Sequence, residues 1–363
     1  MKVFIHLARN KDADAWHQSW LAGTLVGIND PTPYGYGRAE KMGCELLYSK
    51  SHPESVMLKT LRLAVRVVLG FDLVHAYRQR REILASDVVW THTESQYLGV
   101  AALLLSRRKP KIIGQSVWLF DKWPQLSFAH KFLYKFLIDR VDVLTVHSKL
   151  NYEIAAKIFP KKNIVIVPFG IPTETMLAPK QSLADRFIIV SPGSDRHRDW
   201  PTLIAACCQL PNVELVILSR TAPKWLAFRK KNVKITVAKT NDELKSYMGR
   251  AHLVSVPLRK NHHASGITVI QEAILFGLPV VATDTGGLRE YFDSNHVCYV
   301  GVGSKKDLLL AIQKVLANPK GAAEMVLRAQ AHIVKSGMGA EAFIRAHVQI
   351  SGELIESERS VGT

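Results

Sequence analysis

The residues with the clearest chemical potential lie in one stretch near position 270. There a predicted loop ends in Ser265-Gly266, and Glu272 follows almost two turns into a predicted helix. Glycine lets backbone approach a ligand closely, and free N–H groups at a helix N-terminus can hold a diphosphate. A carboxylate at Glu272 could accept hydrogen bonds from both hydroxyls of a ribose. Alternatively, Gly266 is an ordinary loop residue and Glu272 a solvated charge on a helix. The presence of the whole run of features, rather than an isolated Ser-Gly pair, disfavours that interpretation.

The elements around this stretch follow the pattern of a parallel α/β sheet covered by helices. Short apolar runs alternate with longer amphipathic ones along the whole chain. In the first half, strands are predicted at Val3–Leu7, Val88–Thr91, Lys111–Gly114, Val143–Val146 and Ile164–Val167. In the second half, strands are predicted at Phe187–Val190, Glu214–Leu218, Lys234–Val237, Leu253–Val256, Val280–Ala282 and Cys298–Val300.

The length of 363 residues suits two domains better than one. The segment Pro168–Asp185 carries prolines and a Gly-Ile-Pro turn and lacks a clear period, so we interpret it as the linker. This division predicts a Rossmann-like domain over residues 1–172 and a second over residues 185–340. A final helix over residues 341–363 would pack back across both. Two such domains leave a cleft at the carboxyl ends of their strands, where α/β sheets bind ligands.

Three motifs carry a resemblance to a known family. The stretch Glu272–Gly287 closely resembles the donor-site signature of family-4-type (group 1) glycosyltransferases. Val165–Ile171 resembles that family's interdomain strand and turn, and Ser191–Ile204 is similar to the glycine-and-base loop that opens its second domain. The motifs occur in the family's order, and the resemblance covers roughly Lys111 to the C-terminus. It implies a GT-B fold, in which two Rossmann-like domains face each other across a cleft.

The same resemblance implies how a nucleotide-diphosphate sugar would be held in the C-terminal domain. By position, Arg196 or Arg198 would neutralise the diphosphate, and this suits the chemistry because the leaving nucleoside diphosphate gains negative charge in the transition state. Backbone at residues 265–268 would hold phosphate, Glu272 the ribose, and a pocket around Val237 the base. The expected donor-binding residues are Gly193, Arg196, Arg198, Val237, His263, Ser265, Gly266, Ile267, Thr268 and Glu272.

Two departures from the family's pattern affect the donor sugar and the acceptor. The first glutamate of its E-x7-E pattern is replaced by Ala264, and aligning on Gly266 instead places His263 there. Either His262 or His263 replaces the carboxylate, or neither does. The glycine-rich turn after the first strand is also missing, and residues 16–27 stand in its place. Acceptor handling is therefore expected to differ.

The catalytic residues are the least specified part of the sequence. Many relatives carry a histidine after the strand matching Lys111–Gly114, where this chain has the run 115–121. His92 and Asp121 would lie at strand ends facing the cleft, although a lone histidine more often has a structural role. Asp12 and Asp14 are further candidates for contacting the acceptor hydroxyl. The resemblance implies a retaining, metal-independent transfer without a cofactor; an inverting enzyme would use one of these carboxylates as general base.

A formal charge of +17 and a pI near 9.7 call for an anionic partner. Nucleic acid, an anionic membrane surface and phosphorylated substrates are the three candidates. Lys59, Arg62 and Arg66 recur at i, i+3 and i+7 among apolar residues, a pattern typical of an interfacial helix. The runs 106–111 and 131–137 extend this basic, apolar composition within the same half. An ordinary helix with a solvated charged face is the competing interpretation for each segment.

Several functional classes lack their signatures. The four cysteines show no C-x2-C spacing, which favours reduced thiols over a zinc site or a disulfide frame. No apolar run reaches 18 residues, and no G-x-G-x-x-G follows the first strand, which disfavours a membrane span and a dinucleotide oxidoreductase or epimerase. A nucleic-acid-binding protein meets only the charge criterion. A phosphorylase and a non-catalytic sensor of sugar nucleotides remain alternatives.

Together these observations predict a hexosyltransferase. It would move a hexose-type sugar from a nucleotide sugar to a lipid-linked saccharide acceptor in polysaccharide biosynthesis. The expected location is the cytoplasmic face of the cell membrane, as a peripheral protein on an anionic surface, and nucleic acid is not an expected partner.

Overall fold

The computed structural model describes residues 1–9, 11–180 and 185–361. They form two compact units, each built on a six-stranded sheet. The first unit comprises Met1–Ser19, Asp30–Phe169 and the chain from Glu341 onward, and the second comprises Trp20–Asn29 and Gly170–Ala340. The predicted α/β class with two Rossmann-like halves is confirmed.

The first sheet has the order β2-β1-β3-β4-β5-β6, and all its neighbouring strands run parallel. The strands are β1 Lys2–His6, β2 Glu45–Tyr48, β3 Val88–Thr91, β4 Lys111–Gln115, β5 Val143–Val146 and β6 Ile164–Ile166. The helices around this sheet are α1 Ala13–Leu21, α2 Val56–Leu69, α3 Leu73–Arg78, α4 Arg80–Leu84, α5 Glu94–Leu103, α6 Leu119–Lys122, α7 Phe128–Arg140 and α8 Lys149–Ile158.

The second sheet is also parallel, with the order β12-β11-β10-β7-β8-β9. Its strands are β7 Phe187–Pro192, β8 Val213–Leu218, β9 Val233–Thr236, β10 Leu253–Val256, β11 Val280–Thr283 and β12 Cys298–Val300. The later helices are α9 Trp200–Cys207, α10 Asn241–Arg250, α11 Ile267–Leu275, α12 Lys305–Ala317, α13 Pro319–Ser336 and α14 Ala340–Val361. Short 3-10 helices lie at Pro33–Met42, Trp123–Gln125, Lys224–Ala227 and Leu288–Glu290.

The apolar strand runs are explained by helices on both faces of each sheet. In the first unit, Phe4 and Val89 belong to one buried cluster and Val3 and Trp90 to another, so alternate residues of a strand supply opposite faces. Trp90 also donates a hydrogen bond from Nε1 to Ser351 Oγ of α14 at 2.8 Å. This contact lies within the first unit, to which the chain from Glu341 onward belongs.

Both sheets contain a switch point, where consecutive connections leave in opposite directions. In the second sheet β7 pairs with β8 on one side and β10 on the other, and in the first sheet β1 lies between β2 and β3. Parallel α/β sheets bind ligands at the carboxyl ends of the strands at such points. The loops after β1, β3, β7 and β10 are therefore the places to examine for function.

The domain boundaries differ from the predicted ones in two places. Trp20–Asn29, predicted within the first domain, belongs to the second unit by its contacts. The predicted linker Pro168–Asp185 includes residues 181–184, which lie outside the described residues. From Gly170 the chain already belongs to the second unit, where Leu177 N donates to Leu275 O at 2.8 Å.

The predicted basic stripe on α2 is corrected at Arg62. Lys59 and Arg66 are exposed, but Arg62 is buried. Its Nε donates to Glu54 Oε1 at 3.0 Å and its Nη1 to Asp72 Oδ2 at 2.6 Å. Arg62 is therefore a structural residue that joins α2 to its neighbours, and it is withdrawn from the proposed membrane contacts.

Replacing Arg62 with methionine should lower the free energy of unfolding by about 2–4 kcal/mol, because Glu54 and Asp72 lose a buried charge partner. Lys59→Met on the same helix is the matched control and should change stability by less than about 0.5 kcal/mol. Chemical denaturation followed by fluorescence measures both. Equal stability of the two variants would show that the Arg62 ion pairs are not structural.

Candidate functional site

The loops after β7 and β10 are joined by backbone hydrogen bonds at the switch point of the second sheet. Arg259 N donates to His197 O at 2.7 Å, and Asp199 N donates to Pro257 O at 3.0 Å. Between them Arg198 and Leu258 form an isolated antiparallel bridge. The two loops therefore form one platform at the carboxyl edge of the sheet.

Arg198 lies in this platform and is 4% exposed. No hydrogen-bond partner for its Nε or Nη1 is found among the residues that the structure describes. Burial lowers the pKa of the guanidinium to about 10, with Asp195 opposing the shift, so Arg198 stays positively charged at neutral pH. A buried charge with two unpartnered nitrogens is costly, and an anion at this place would offset the cost.

Two glycines allow the Arg198 guanidinium to lie close against both loops. Gly193 has a φ of 134° and Gly266 a φ of 85°. A Cβ on Gly193 would overlap the Arg198 guanidinium, and one on Gly266 would lie 3.1 Å from Arg198 Nη1. Gly266 is also the N-cap of α11, whose first N–H groups and positive dipole end favour phosphate. Arg198 and the start of α11 thus converge on one anion-binding position.

Asn261 fixes the loop that leads into α11. Its Oδ1 accepts hydrogen bonds from the backbone N–H groups of His263 and Ser265, each at 3.3 Å. Ala264 adopts a φ of 49°, and its N–H donates to Gly286 O at 2.9 Å. The sequence analysis missed Asn261, although an asparagine that opens a loop with a left-handed residue is a recognisable signal.

Asp195 connects the two histidines of the platform. Its Oδ1 lies 3.0 Å from His197 Nδ1, and its Oδ2 lies 3.2 Å from His263 Nε2. Burial alone would raise the pKa of Asp195, but the hydrogen bonds from His263 and the His197 backbone outweigh it and hold the pKa well below its usual value. One ligand atom from each of the three residues lies within 4.8 Å of the others, so this group could hold a metal ion.

Glu272 lies on α11 and is partly exposed. Its Oε1 accepts a hydrogen bond from Ile28 N at 2.9 Å. Desolvation by the surrounding protein atoms raises the pKa of its carboxyl to about 7, although the Ile28 N–H acts in the opposite direction. Gly27, with a φ of 120°, allows this approach, because a Cβ there would lie 2.7 Å from Oε1.

The segment Trp20–Asn29, which contains Ile28, is tied to the start of α10. Gly27 N donates to Asn241 Oδ1 at 3.0 Å, and Asn241 N donates to Gly23 O at 2.7 Å. The sequence contains no signal for these contacts, since more than 200 residues separate the partners. The segment brings backbone from early in the chain to the Glu272 carboxylate.

The structure separates the predicted donor-binding residues into groups. Gly193, Arg198 and Gly266 come together at the anion position. Ser265, which precedes Gly266 in the sequence, is buried. Ile267 and Thr268 lie in the first turn of α11. Arg196 is exposed, so burial distinguishes it from Arg198. Val237 follows β9, the edge strand two positions from β7.

His92, one of the predicted catalytic residues, has its ring stacked on Tyr34 at a centroid distance of 3.5 Å. Its Nδ1 lies 3.1 Å from the hydroxyl of Tyr36 and 3.3 Å from Gln115 Nε2. Burial, and after it the charge of His147, hold its pKa well below the usual value, so the ring is neutral. These contacts position the ring, and its catalytic role stays a prediction.

Asp12 and Asp121 lie in the first unit. Asp12 accepts hydrogen bonds from the backbone N–H groups of Asp14 and Ala15 at the start of α1, and from Ser51 N at 2.8 Å. Burial would raise the pKa of Asp12, but these bonds outweigh it and lower the pKa. Asp12 thus has a capping role, while Asp121 is half-buried on α6. Their catalytic roles stay predictions.

Comparisons with known proteins bear on the fold and on the second unit. Residues 185–332 match the family model described as glycosyl transferases group 1. A search of curated protein sequences gives no match. Sucrose-phosphate synthase from Thermosynechococcus elongatus has a similar structure, with a TM-score of 0.75 and 16% identity over 98% of this chain and 100% of that one. Anabaena HepE in complex with UDP-glucose has a TM-score of 0.65 and 13% identity over 98% and 99% of the two chains.

A third similar structure is a TarM variant from S. aureus in complex with fondaparinux, alpha-GlcNAc-glycerol and UDP. It has a TM-score of 0.61 and 15% identity, covering 77% of this chain and 59% of that one. These findings confirm the resemblance to group 1 glycosyl transferases and the fold, while the family-4 subtype stays a prediction. The chain has the GT-B fold, and residues 185–332 of its second unit match the group 1 glycosyl transferase model.

The raised pKa of Glu272 predicts a pH dependence of stability. Because the folded-state pKa of about 7 exceeds the ordinary value of 4.5, the folded protein holds this proton more tightly than the unfolded chain. The contribution is fully present below pH 4.5 and is lost as pH rises through 7. At about 1.4 kcal/mol per pKa unit, it amounts to at most about 3.5 kcal/mol.

We therefore expect the free energy of unfolding of Glu272→Gln to increase relative to that of wild type as pH rises from 5 to 8. Denaturation at several pH values measures the difference, with the exposed Glu324→Gln as control. If the difference in free energy of unfolding between wild type and Glu272→Gln does not change with pH, the raised pKa of Glu272 is wrong.

Proposed function

We propose that the protein transfers a hexose-type sugar from a nucleoside diphosphate sugar to a saccharide acceptor. The observation that carries the proposal is Arg198, a buried guanidinium with unpartnered nitrogens beside the start of α11. A diphosphate placed there would be held by the arginine and by helix N–H groups. UDP-glucose is the first donor to test, because the similar Anabaena protein was crystallised with it.

The chemical step follows from where charge develops. When the bond between the sugar and the β-phosphate breaks, the nucleoside diphosphate gains negative charge, and donors already aimed at it stabilise the transition state. Arg198 is prearranged for this task because its loop is joined to the β10 loop by backbone hydrogen bonds. We propose that this charge suffices without a metal ion, and that Asp195 orients His263 towards the donor sugar, in place of the glutamate that the family carries where this chain has Ala264.

Glu272 is proposed to bind the ribose. Ribose hydroxyls that donate to the carboxylate would favour its ionised form and lower the raised pKa on binding. The group 1 signature around this residue also supports a retaining transfer, in which the first product keeps the donor's anomeric configuration. Proton NMR of the first product distinguishes this outcome from inversion.

The donor site is tested by comparing two arginines of one loop. Arg198→Lys should weaken UDP binding about tenfold or more, because lysine lacks the planar fork that reaches two phosphate oxygens. Arg196→Lys, at an exposed position, should bind UDP within about twofold of wild type. Isothermal titration calorimetry measures both. An equal loss of UDP affinity in both variants, or no loss of UDP affinity in Arg198→Lys, would remove the main support for the proposal.

We propose further that the acceptor is presented at an anionic membrane surface. Helices α2 and α7 of the first unit expose apolar side chains that would ordinarily be buried. His130 Nε2 lies 3.0 Å from Val68 O, and Tyr134 OH donates to Leu69 O at 3.2 Å, so the two helices are held together. The exposed apolar residues on the two helices are Val56, Met57, Leu58, Leu61, Leu63, Val67, Val68, Phe128, Phe132 and Phe136.

Cations accompany these apolar residues. Lys59, Arg66 and Lys135 are exposed, and Lys131 is half-exposed. Each such cation contributes about 1 kcal/mol near an anionic bilayer, while the apolar side chains enter the headgroup boundary. We refer to the exposed residues of α2 and α7 as the apolar-basic face. None of the described helices is long and apolar enough to cross a membrane. A lipid-linked saccharide in polysaccharide assembly is the acceptor that this face would serve.

Charge reversal on the apolar-basic face tests the membrane contact. The triple variant Lys59→Glu, Lys131→Glu, Lys135→Glu should lose most binding to vesicles containing phosphatidylglycerol, since roughly 1 kcal/mol per cation is removed and then opposed. Sedimentation with vesicles measures binding, and the triple reversal Lys224→Glu, Lys230→Glu, Lys231→Glu in the second unit is the control. Equal vesicle binding by both triple variants would place the membrane contact elsewhere.

A further inference from the structure

The first unit contains a cavity of about 300 Å³ that no step of the donor chemistry uses. Its walls come from the end of β1, the helices α2 and α3, and the start of α5. Among the lining residues are His6, Arg9, Arg66, Ser95 and Gln96. The cavity lies at the switch point between β1 and β3, where a parallel sheet is best placed to bind a ligand.

Positive charge predominates around this cavity. Arg62 lines it but is paired with Glu54 and Asp72, and Glu54 also accepts from Arg78 Nη1 at 2.8 Å. Arg9 Nε lies 3.6 Å from Glu54, so the two carboxylates are shared among several arginines. Among the lining residues themselves, three arginines (Arg9, Arg62 and Arg66) and one carboxylate (Asp72) leave a formal charge of +2.

Arg66 contributes the most accessible of these charges. It is exposed, and its side chain has no ion-pair or hydrogen-bond partner among the residues that the structure describes. Arg66 lines the cavity from α2, the helix that also carries the apolar-basic face. A group bound in the cavity would therefore lie close to whatever surface α2 contacts.

Two buried nitrogen atoms at the cavity lack hydrogen bonds. His6 is 1% exposed, and within the described part of the chain its Nδ1 has no hydrogen-bond partner. The same holds for Arg9 Nε, which forms an ion pair with Glu54 at 3.6 Å without a hydrogen bond. Buried polar groups are nearly always satisfied, so unpartnered nitrogens on two residues that line a cavity point to a polar ligand.

The start of α5 supplies further donors. The side chain of Thr93, its N-cap, accepts no hydrogen bond from the helix backbone, and its hydroxyl donates to the Gln96 side chain. Gln96 N donates to Thr93 O at 3.1 Å, so the N–H groups of Glu94 and Ser95 are the ones left to other acceptors. Ser95 and Gln96 of this first turn line the cavity. A helix N-terminus combined with guanidinium groups is the arrangement that binds phosphate in many proteins.

We propose that this cavity binds a phosphoryl group of the acceptor, held by Arg9, Arg66 and the N-terminus of α5. That the ligand is the acceptor rests on the proposed function, whereas the anion site itself does not. A phosphoryl group could come from a lipid-linked saccharide at the membrane surface or from a soluble sugar phosphate. Both sources present the same oxygens to the cavity.

The test uses the full chain and two arginine variants. Glucose 6-phosphate is the soluble probe, and a long-chain alkyl phosphate in neutral detergent micelles is the lipid probe, with the matching alcohol as blank. Arg66→Gln should weaken binding of whichever probe the wild type binds about tenfold or more. Arg81→Gln, exposed on α4 and outside the cavity, should bind that probe within about twofold of wild type.

Phosphorus NMR titration reads both probes. Saturable binding of the sugar phosphate identifies a soluble source, and binding of the alkyl phosphate alone identifies a lipid source. No saturable binding of either probe, or equal binding by Arg66→Gln and wild type, overturns the inference. UDP affinity of Arg66→Gln is measured in parallel and should equal that of wild type, so failure of the acceptor inference is distinguishable from failure of the donor site.

Discussion

The arrangement of the site in the second unit centres on one constraint, the buried positive charge of Arg198. Its Nε and Nη1 have no hydrogen-bond partner among the described residues. Guanidinium groups with unpartnered nitrogens are rare in protein interiors, because no hydrogen bonds then offset the free energy of removing the charge from water. In this structure the charge lies at the switch point of a parallel sheet, beside a helix N-terminus, and Gly193 and Gly266 let the guanidinium approach the two loops closely. The same features that make an unneutralised guanidinium unfavourable favour an anionic ligand beside it.

The surrounding residues are arranged to keep that position fixed. Backbone bonds join the two loops, and Asn261 holds the turn into α11. The carboxylate of Glu272, further along α11, is contacted by Ile28 from a segment that precedes it by more than 200 residues. The proposed nucleotide would therefore meet Arg198 in loops held together by backbone hydrogen bonds, and the carboxylate proposed to bind its ribose is contacted by backbone of the Trp20–Asn29 segment.

The sequence predicted the elements that repeat a simple physical pattern. Eleven predicted strands correspond to observed ones, because strands covered on both faces are continuous apolar runs. β2 was missed, since Glu45–Tyr48 is a short, partly exposed edge strand without such a run. The charge spacing on α2 could not reveal that Arg62 is buried, because its partners lie on neighbouring elements. Tertiary structure likewise decides that Arg198 rather than Arg196 is buried. It also decides that Ile28 contacts Glu272.

The central claim is that the second unit binds a nucleoside diphosphate through protein charge alone. It is tested most directly by thermal shift of the full chain with UDP, GDP, ADP, CMP and NAD in the presence of EDTA. The account predicts that one nucleoside diphosphate raises the melting temperature in a concentration-dependent way and that NAD does not. Stabilisation by NAD alone, or by a nucleotide only after a divalent metal is restored, would contradict it.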